Sequence, residues 1–136
     1  MLLFNKYFLQ MIFLLLPLMA CEVSIIREDI VHININNNIG SGVDLTVHCK
    51  SKDDDLGVQV IPYQGNYTFQ FRPNVLGTTL FFCSFAWRDE SHSFDIYSFK
   101  RDSGLCTENC NWSIRSDAAY WLDPTPKHHD IRYPWP

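Results

Sequence analysis

Beyond its first twenty residues the chain holds no apolar run long enough to cross a bilayer, no basic excess and no segment with a convincing helical stripe. The first absence argues against a membrane-spanning body, since a helical span needs about 20 predominantly apolar residues. The second argues against nucleic acid or an anionic membrane as the main partner. Without the first twenty residues, which contain Lys6 and no acid, ten Lys and Arg stand against fifteen Asp and Glu, a net charge of −5. The third leaves a period of two as the only hydrophobic rhythm.

Chemical signatures are equally sparse. No Gly-flanked serine or other nucleophile motif is present. Asp53-Asp54-Asp55 lacks the alternating acids, central glycine and final glutamate of a calcium loop, and reads as a solvated loop. Cys106 and Cys110 with His128 and His129 resemble two ligand pairs for zinc. However, adjacent histidines on an extended Pro-rich segment point apart. Cys106 and Cys110 have three intervening residues rather than the two of a redox dithiol. No cofactor is expected. His48 falls on the polar face of an expected strand and His92 in an expected loop, a weak basis for a hydrolase.

What is present begins with "MLLFNKYFLQMIFLLLPLMA": one cation, an apolar block from Met11 to Met19, and Ala20 at a cleavage point. That is the layout of a secretory signal peptide over residues 1–20. About 115 residues follow, enough for one domain with a modest core. The expected mature product is extracellular, with no stable membrane insertion. In an oxidising compartment Cys49, Cys83, Cys106 and Cys110 read as two disulfides, with three connectivities open. Pairing of Cys106 with Cys110 is the least favoured, because so short a loop constrains little chain entropy and is easily strained.

The body reads as strands. Val31–Ile35 alternates apolar with polar, and Val43, Leu45, Val47 and Cys49 share one face after the turn-forming "NNNIGSG". Tyr67, Phe69 and Phe71 share another. "TTLFFCSFAW", apolar on both faces at its middle, is expected as a central strand, joined through a longer loop, "RDESHS", to "FDIYSF". Six or seven such strands imply a small all-β antiparallel sandwich or barrel over residues 21–123. Residues 124–136, with four of the seven prolines, are expected as an extended or disordered tail. Sequons stand at Asn66-Tyr67-Thr68 and Asn111-Trp112-Ser113; the Trp makes the second a poor acceptor.

Taken together, "HCKSKDDDLG", the alternating Phe81-x-Cys83-x-Phe85-x-Trp87 and Cys106-x-x-x-Cys110-x-Trp112-x-Ile114 resemble the plant self-incompatibility S1 family, the S-protein homologues, from about Val31 to Trp121. The resemblance implies a secreted β-sandwich stapled by two disulfides and without known enzymatic activity. It also implies that Cys106 and Cys110 tie the last strand to Cys49 and Cys83, with Trp112 and Ile114 facing the core. The best understood members are pistil-secreted ligands that act on incompatible pollen through a pollen membrane protein, triggering calcium influx and growth arrest; most relatives have no assigned role.

The expected function is therefore that of a small extracellular ligand in cell-cell recognition. Its polar loops would engage a cell-surface receptor or other extracellular protein. The candidate residues are Asp53, Asp54 and Asp55, then Arg88, Asp89 and Glu90, then Arg101, Asp102 and Glu108. The alternative is a carbohydrate or cell-wall binder using Tyr63, Tyr97 and Trp121 as stacking platforms.

Overall fold

The computed structural model describes residues 29–136. The expected signal peptide, its cleavage point and Cys21 lie outside the described residues. The period-two pattern becomes nine strands: β1 (Val31–Asn37), β2 (Leu45–Lys50), β3 (Asp55–Ile61), β4 (Asn66–Phe71), β5 (Leu80–Trp87), β6 (Glu90–Ser98), β7 (Asn109–Ile114), β8 (Ala118–Trp121) and β9 (Ile131–Pro134). One helical turn, α1 (Phe99–Asp102), follows β6.

The strands form a five-stranded sheet in the order β4-β1-β7-β8-β9 and a four-stranded sheet in the order β3-β2-β5-β6. All neighbours are antiparallel except β1 and β7, which run parallel with Ile33 beside Cys110 and Ile35 beside Trp112. A parallel pair needs a long crossover. Here the chain between β1 and β7 builds the whole second sheet and β4.

Alternation sends one residue of each pair inward. Val31, Ile33 and Ile35 of β1 and Cys110, Trp112 and Ile114 of β7 face Leu45, Val47 and Cys49 of β2 and Phe81, Cys83, Phe85 and Trp87 of β5. Edge strand β4 adds Phe69 and Phe71, whose rings lie 5.2 and 4.6 Å from that of Phe81. The expected inner faces of β1, β2, β4 and β7 are those observed. For β5 the two-sided apolar pattern does not mean two-sided burial. Among the described residues no third layer covers the outer face of the smaller sheet, and Leu80 and Phe82 are exposed there.

At one junction of the sheets a polar side chain replaces an apolar one. Asn37, fully buried at the end of β1, donates from Nδ2 to the carbonyls of Val43 (2.8 Å) and Ile61 (2.9 Å), and its Oδ1 accepts from Ile39 N (3.1 Å). It thus links the larger sheet to the entry of β2 and the end of β3. Its backbone pairs with Gly65 and Gln64 in the β3–β4 turn.

Three expectations are corrected. First, residues 124–136 are not a free tail: β9 pairs with β8, and Trp135 stacks on His92 and donates from Nε1 to the Arg115 carbonyl (3.2 Å). The prolines permit this because β9 is an edge strand, where a missing amide hydrogen costs no ladder bond. Tyr133 and Trp135 supply the apolar cover that β6 would otherwise lack.

Second, the "RDESHS" loop shrinks to a two-residue turn. Glu90–Ser98 is already β6, and Arg88 takes a left-handed φ of 51° to close the hairpin.

Third, the disulfides are Cys49–Cys83 and Cys106–Cys110. Cys49 and Cys83 are direct register partners on β2 and β5 and share the inner face. Cys106 and Cys110 bracket the turn that delivers the chain into β7, and do not tie β7 to the other sheet. Adjacency in the fold outweighs the small entropic gain of the short loop.

Two measurements check this account. Replacing both cysteines by alanine should lower unfolding free energy by about 4 kcal/mol at the 34-residue separation of Cys49 and Cys83. The corresponding loss at Cys106 and Cys110 should be about 2 kcal/mol, following loop-closure entropy. Chemical denaturation should also show Asn37→Leu losing roughly 2–4 kcal/mol, because two buried carbonyls are left unpaired. Asn66→Ala, at an exposed position, should stay within about 0.5 kcal/mol.

Candidate functional site

Strand direction sorts the loops into two unequal ends. Short turns join β3 to β4, β5 to β6 and β7 to β8 at the end that also holds the β1–β2 connection. The opposite end collects the β2–β3 loop, the β4–β5 loop, the segment from α1 to β7, and the β8–β9 loop. Six of the nine charged candidates, Asp53, Asp54, Asp55, Arg101, Asp102 and Glu108, come to this long-loop end, while Arg88, Asp89 and Glu90 sit at the other.

The acidic turn is tightly built. Ser51 N donates to the Asp54 carbonyl (2.8 Å), and Asp54 N donates to Ser51 Oγ (3.1 Å), which leaves the side chains of Asp53 and Asp54 exposed. Asp55 is the first residue of β3. Its Oδ1 meets His48 Nε2 at 2.6 Å and accepts from Gly57 N (2.9 Å), and those two bonds hold its carboxyl below the usual carboxylate range.

The 99–108 segment divides into a buried and an exposed part. Asp102 is 1% exposed and accepts from Ser98 N (2.9 Å) and, bidentately, from Arg101 Nε (2.7 Å) and Nη2 (2.8 Å). The Arg101 guanidinium lies 5.0, 5.3 and 5.1 Å from the ring centres of Phe94, Trp112 and Tyr133, so one cation touches aromatics of both sheets. These two candidates are therefore scaffold groups, since an isolated buried carboxylate needs its partner. Glu108 remains exposed.

One element of this end escaped the sequence reading. In the β4–β5 loop, Asn74 knots the chain: its Oδ1 accepts from Thr78 N (3.0 Å), its backbone N donates to Thr79 Oγ1 (2.7 Å), and its carbonyl accepts from Gly77 N (3.2 Å). Gly77 has φ +68°, and a Cβ there would stand 2.8 Å from the Phe99 ring. Held between these anchors, Val75 and Leu76 are 84% and 82% exposed. The available signal was two aliphatic residues enclosed by Pro73, Asn74 and Gly77, outside any alternating run.

The remaining candidates are dispersed. His92 pairs with Glu90 (3.3 Å) beneath Trp135, while His48 lies on the outer face of the smaller sheet. Tyr97 and Trp121 belong to the core, which removes them as sugar platforms; Tyr63 is partly exposed in the β3–β4 turn. Asn66 is exposed at the start of β4, whereas Asn111 Oδ1 accepts from Asn34 Nδ2 (2.7 Å) across the parallel pair. Cys106 and Cys110 are bonded to each other and are not available as metal ligands. Among the described residues no group of three or more His, Cys, Asp or Glu gathers to hold a metal, and no helix is long and apolar enough to cross a membrane.

Comparison with known proteins agrees with the fold and its framework. The chain is 46% identical over 103 residues to S-protein homolog 5 of Arabidopsis thaliana, covering 76% of each chain. It is 43% identical over 116 residues to S-protein homolog 20 of the same plant, covering 85% of this chain and 80% of that one. It resembles in fold a solved SPH (self-incompatibility protein homologue) structure, from a family described as small, highly stable, secreted proteins of plants. The TM-score is 0.59 at 24% identity, over 79% of this chain and 96% of that one. The family model of plant self-incompatibility protein S1 matches residues 32–135, from β1 through Trp135, and the chain belongs to that family.

Proposed function

We propose that the protein is a secreted ligand in cell-cell recognition that binds an extracellular partner, such as a cell-surface receptor, through its long-loop end. One observation carries this reading. Val75 and Leu76, the most exposed large apolar side chains among the described residues, are displayed by a knotted loop at the end that also presents Asp53, Asp54 and Glu108. An apolar centre with a charged rim, on loops fixed by a rigid scaffold, is the anatomy of a recognition surface. The ligand acts by contact and not by turnover. Family membership and the signal-like first twenty residues support secretion.

Asn66 is proposed to carry a glycan, because its exposed side chain accommodates one without breaking a hydrogen bond; Asn111 would have to release Asn34. Intact mass of the protein secreted by plant cells should give a start near Cys21 or Glu22, with glycan lost on Asn66→Gln. Recovery of the unprocessed chain in membranes would contradict secretion.

The surface is tested with three variants and a binding assay against cells or extracts of the responding tissue. Val75→Ser with Leu76→Ser should weaken binding at least tenfold, or about 1.4 kcal/mol. Asp53→Ser with Asp54→Ser should weaken it less. Arg88→Ala, Asp89→Ala and Glu90→Ala together, at the far end, should change it less than twofold. All three should melt close to the parent, since exposed side chains contribute within about 0.5 kcal/mol. Loss of binding confined to the far-end variant would place the surface there instead.

A further inference from the structure

Beneath the β4–β5 loop lies a cavity of about 320 Å³, near the lower limit for small-molecule sites. Its apolar walls are Val31, Pro73, Val75 and Phe99, drawn from β1, the β4–β5 loop and α1. Tyr97 lines it as well, and this placement is unexpected for a period-two strand. Phe81 pairs with Tyr97 and Phe82 with Asp95, so Ile96 is an extra residue, and the bulge lets both Ile96 and Tyr97 point away from solvent.

Tyr97 is 1% exposed, yet its hydroxyl has no hydrogen-bond partner among the described residues. The sealed unpaired atoms among the described residues are the indole nitrogens of Trp112 and Trp121, whereas Tyr97 lines the cavity. A tyrosine so deeply buried ordinarily has a partner for its hydroxyl. Burial and the neighbouring Asp102 carboxylate both raise its pKa, so it is a neutral phenol at physiological pH.

Charge narrows the choice of occupant. Asp29 is the sole ionised side chain lining the cavity among the described residues, and no Lys, Arg or His joins it. Asp102 lies near Tyr97 but is paired with Arg101, so Asp29 sets the sign of the lining among the described residues.

We propose that this cavity is a binding site for a small molecule with an apolar, ring-sized body and a hydrogen-bond-donating head, cationic or neutral, which bonds the Tyr97 oxygen while Asp29 faces the positive end. Anions are disfavoured, because among the described residues the lining holds a carboxylate and no cation. The site shares Val75 with the protein-binding surface proposed above, but its test needs no protein partner, so the two can fail independently.

The experiment is an NMR titration of the mature, isotope-labelled protein at neutral pH with three probes of matched size: phenethylamine, 2-phenylethanol and phenylacetate. Saturable shifts should centre on Val75, Tyr97 and Phe99, with the amine binding at least fivefold more tightly than phenylacetate and the alcohol between them. Tyr97→Phe should weaken the amine and the alcohol at least threefold. Thr107→Trp, which fills the mouth from an exposed position and leaves the core untouched, should abolish the shifts even if Tyr97→Phe fails to fold. The proposal is overturned by the absence of saturable shifts with all three probes, by equal affinity for phenylacetate, or by titrations unchanged in Thr107→Trp. Contacts from Val23, Ile25 or Ile26 to Tyr97 in the probe-free protein would show the chain's own N-terminal segment as occupant and would equally overturn it.

Discussion

Among the described residues no disulfide joins the two sheets, because one bridge links neighbouring strands of a single sheet and the other closes a local turn. Everything that keeps the sandwich shut is therefore side-chain chemistry. Trp112 of one sheet meets Phe94 of the other at 5.2 Å, and Phe71 meets Tyr97 at 4.8 Å, both edge to face. Such aromatic contacts add roughly 0.5–1.5 kcal/mol each beyond area burial. The loops owe their positions to this packing, since each begins and ends on a strand that it fixes.

Two polar groups complete the closure at opposite ends. Near the short turns, Asn37 satisfies carbonyls of the facing sheet. Toward the long loops, Arg101 lies against aromatics of both sheets while Asp102 fixes its fork. A buried amide with every group paired favours one arrangement of the sheets over slipped alternatives, because any slip strands its donors. The same logic makes Arg101 and Asp102 poor candidates for partner contact, although they occupy a segment at the long-loop end. Their charges are already committed inside.

The long-loop end can vary without disturbing this closure. Val75 and Leu76 project from a loop whose own hydrogen bonds fix it locally, and the acidic turn is fixed by Ser51 and Asp54 backbone groups. The scaffold thus presents an apolar pair and exposed acids on elements that contribute little to the core.

The sequence by itself determined the class of fold and the inward faces. A period of two fixes which side chains share a face wherever strands form, and so Ile33, Ile35, Leu45 and Val47 were legible as core, while the family resemblance implied the same for Trp112 and Ile114. The framework motifs carried the family. Pairing between distant strands was not legible, because it depends on register and topology that no local pattern encodes. For that reason Cys49 beside Cys83, the parallel β1–β7 contact and the return of Tyr133 and Trp135 onto the core emerge only in three dimensions. The site shows the same division. Composition marked Asp53, Asp54 and Glu108 as exposed charge, but burial of Asp102, the bulge that turns Tyr97 into a cavity and the meeting of loops around Val75 and Leu76 were decided by the tertiary structure. Each arises from contacts between segments that are distant in the chain.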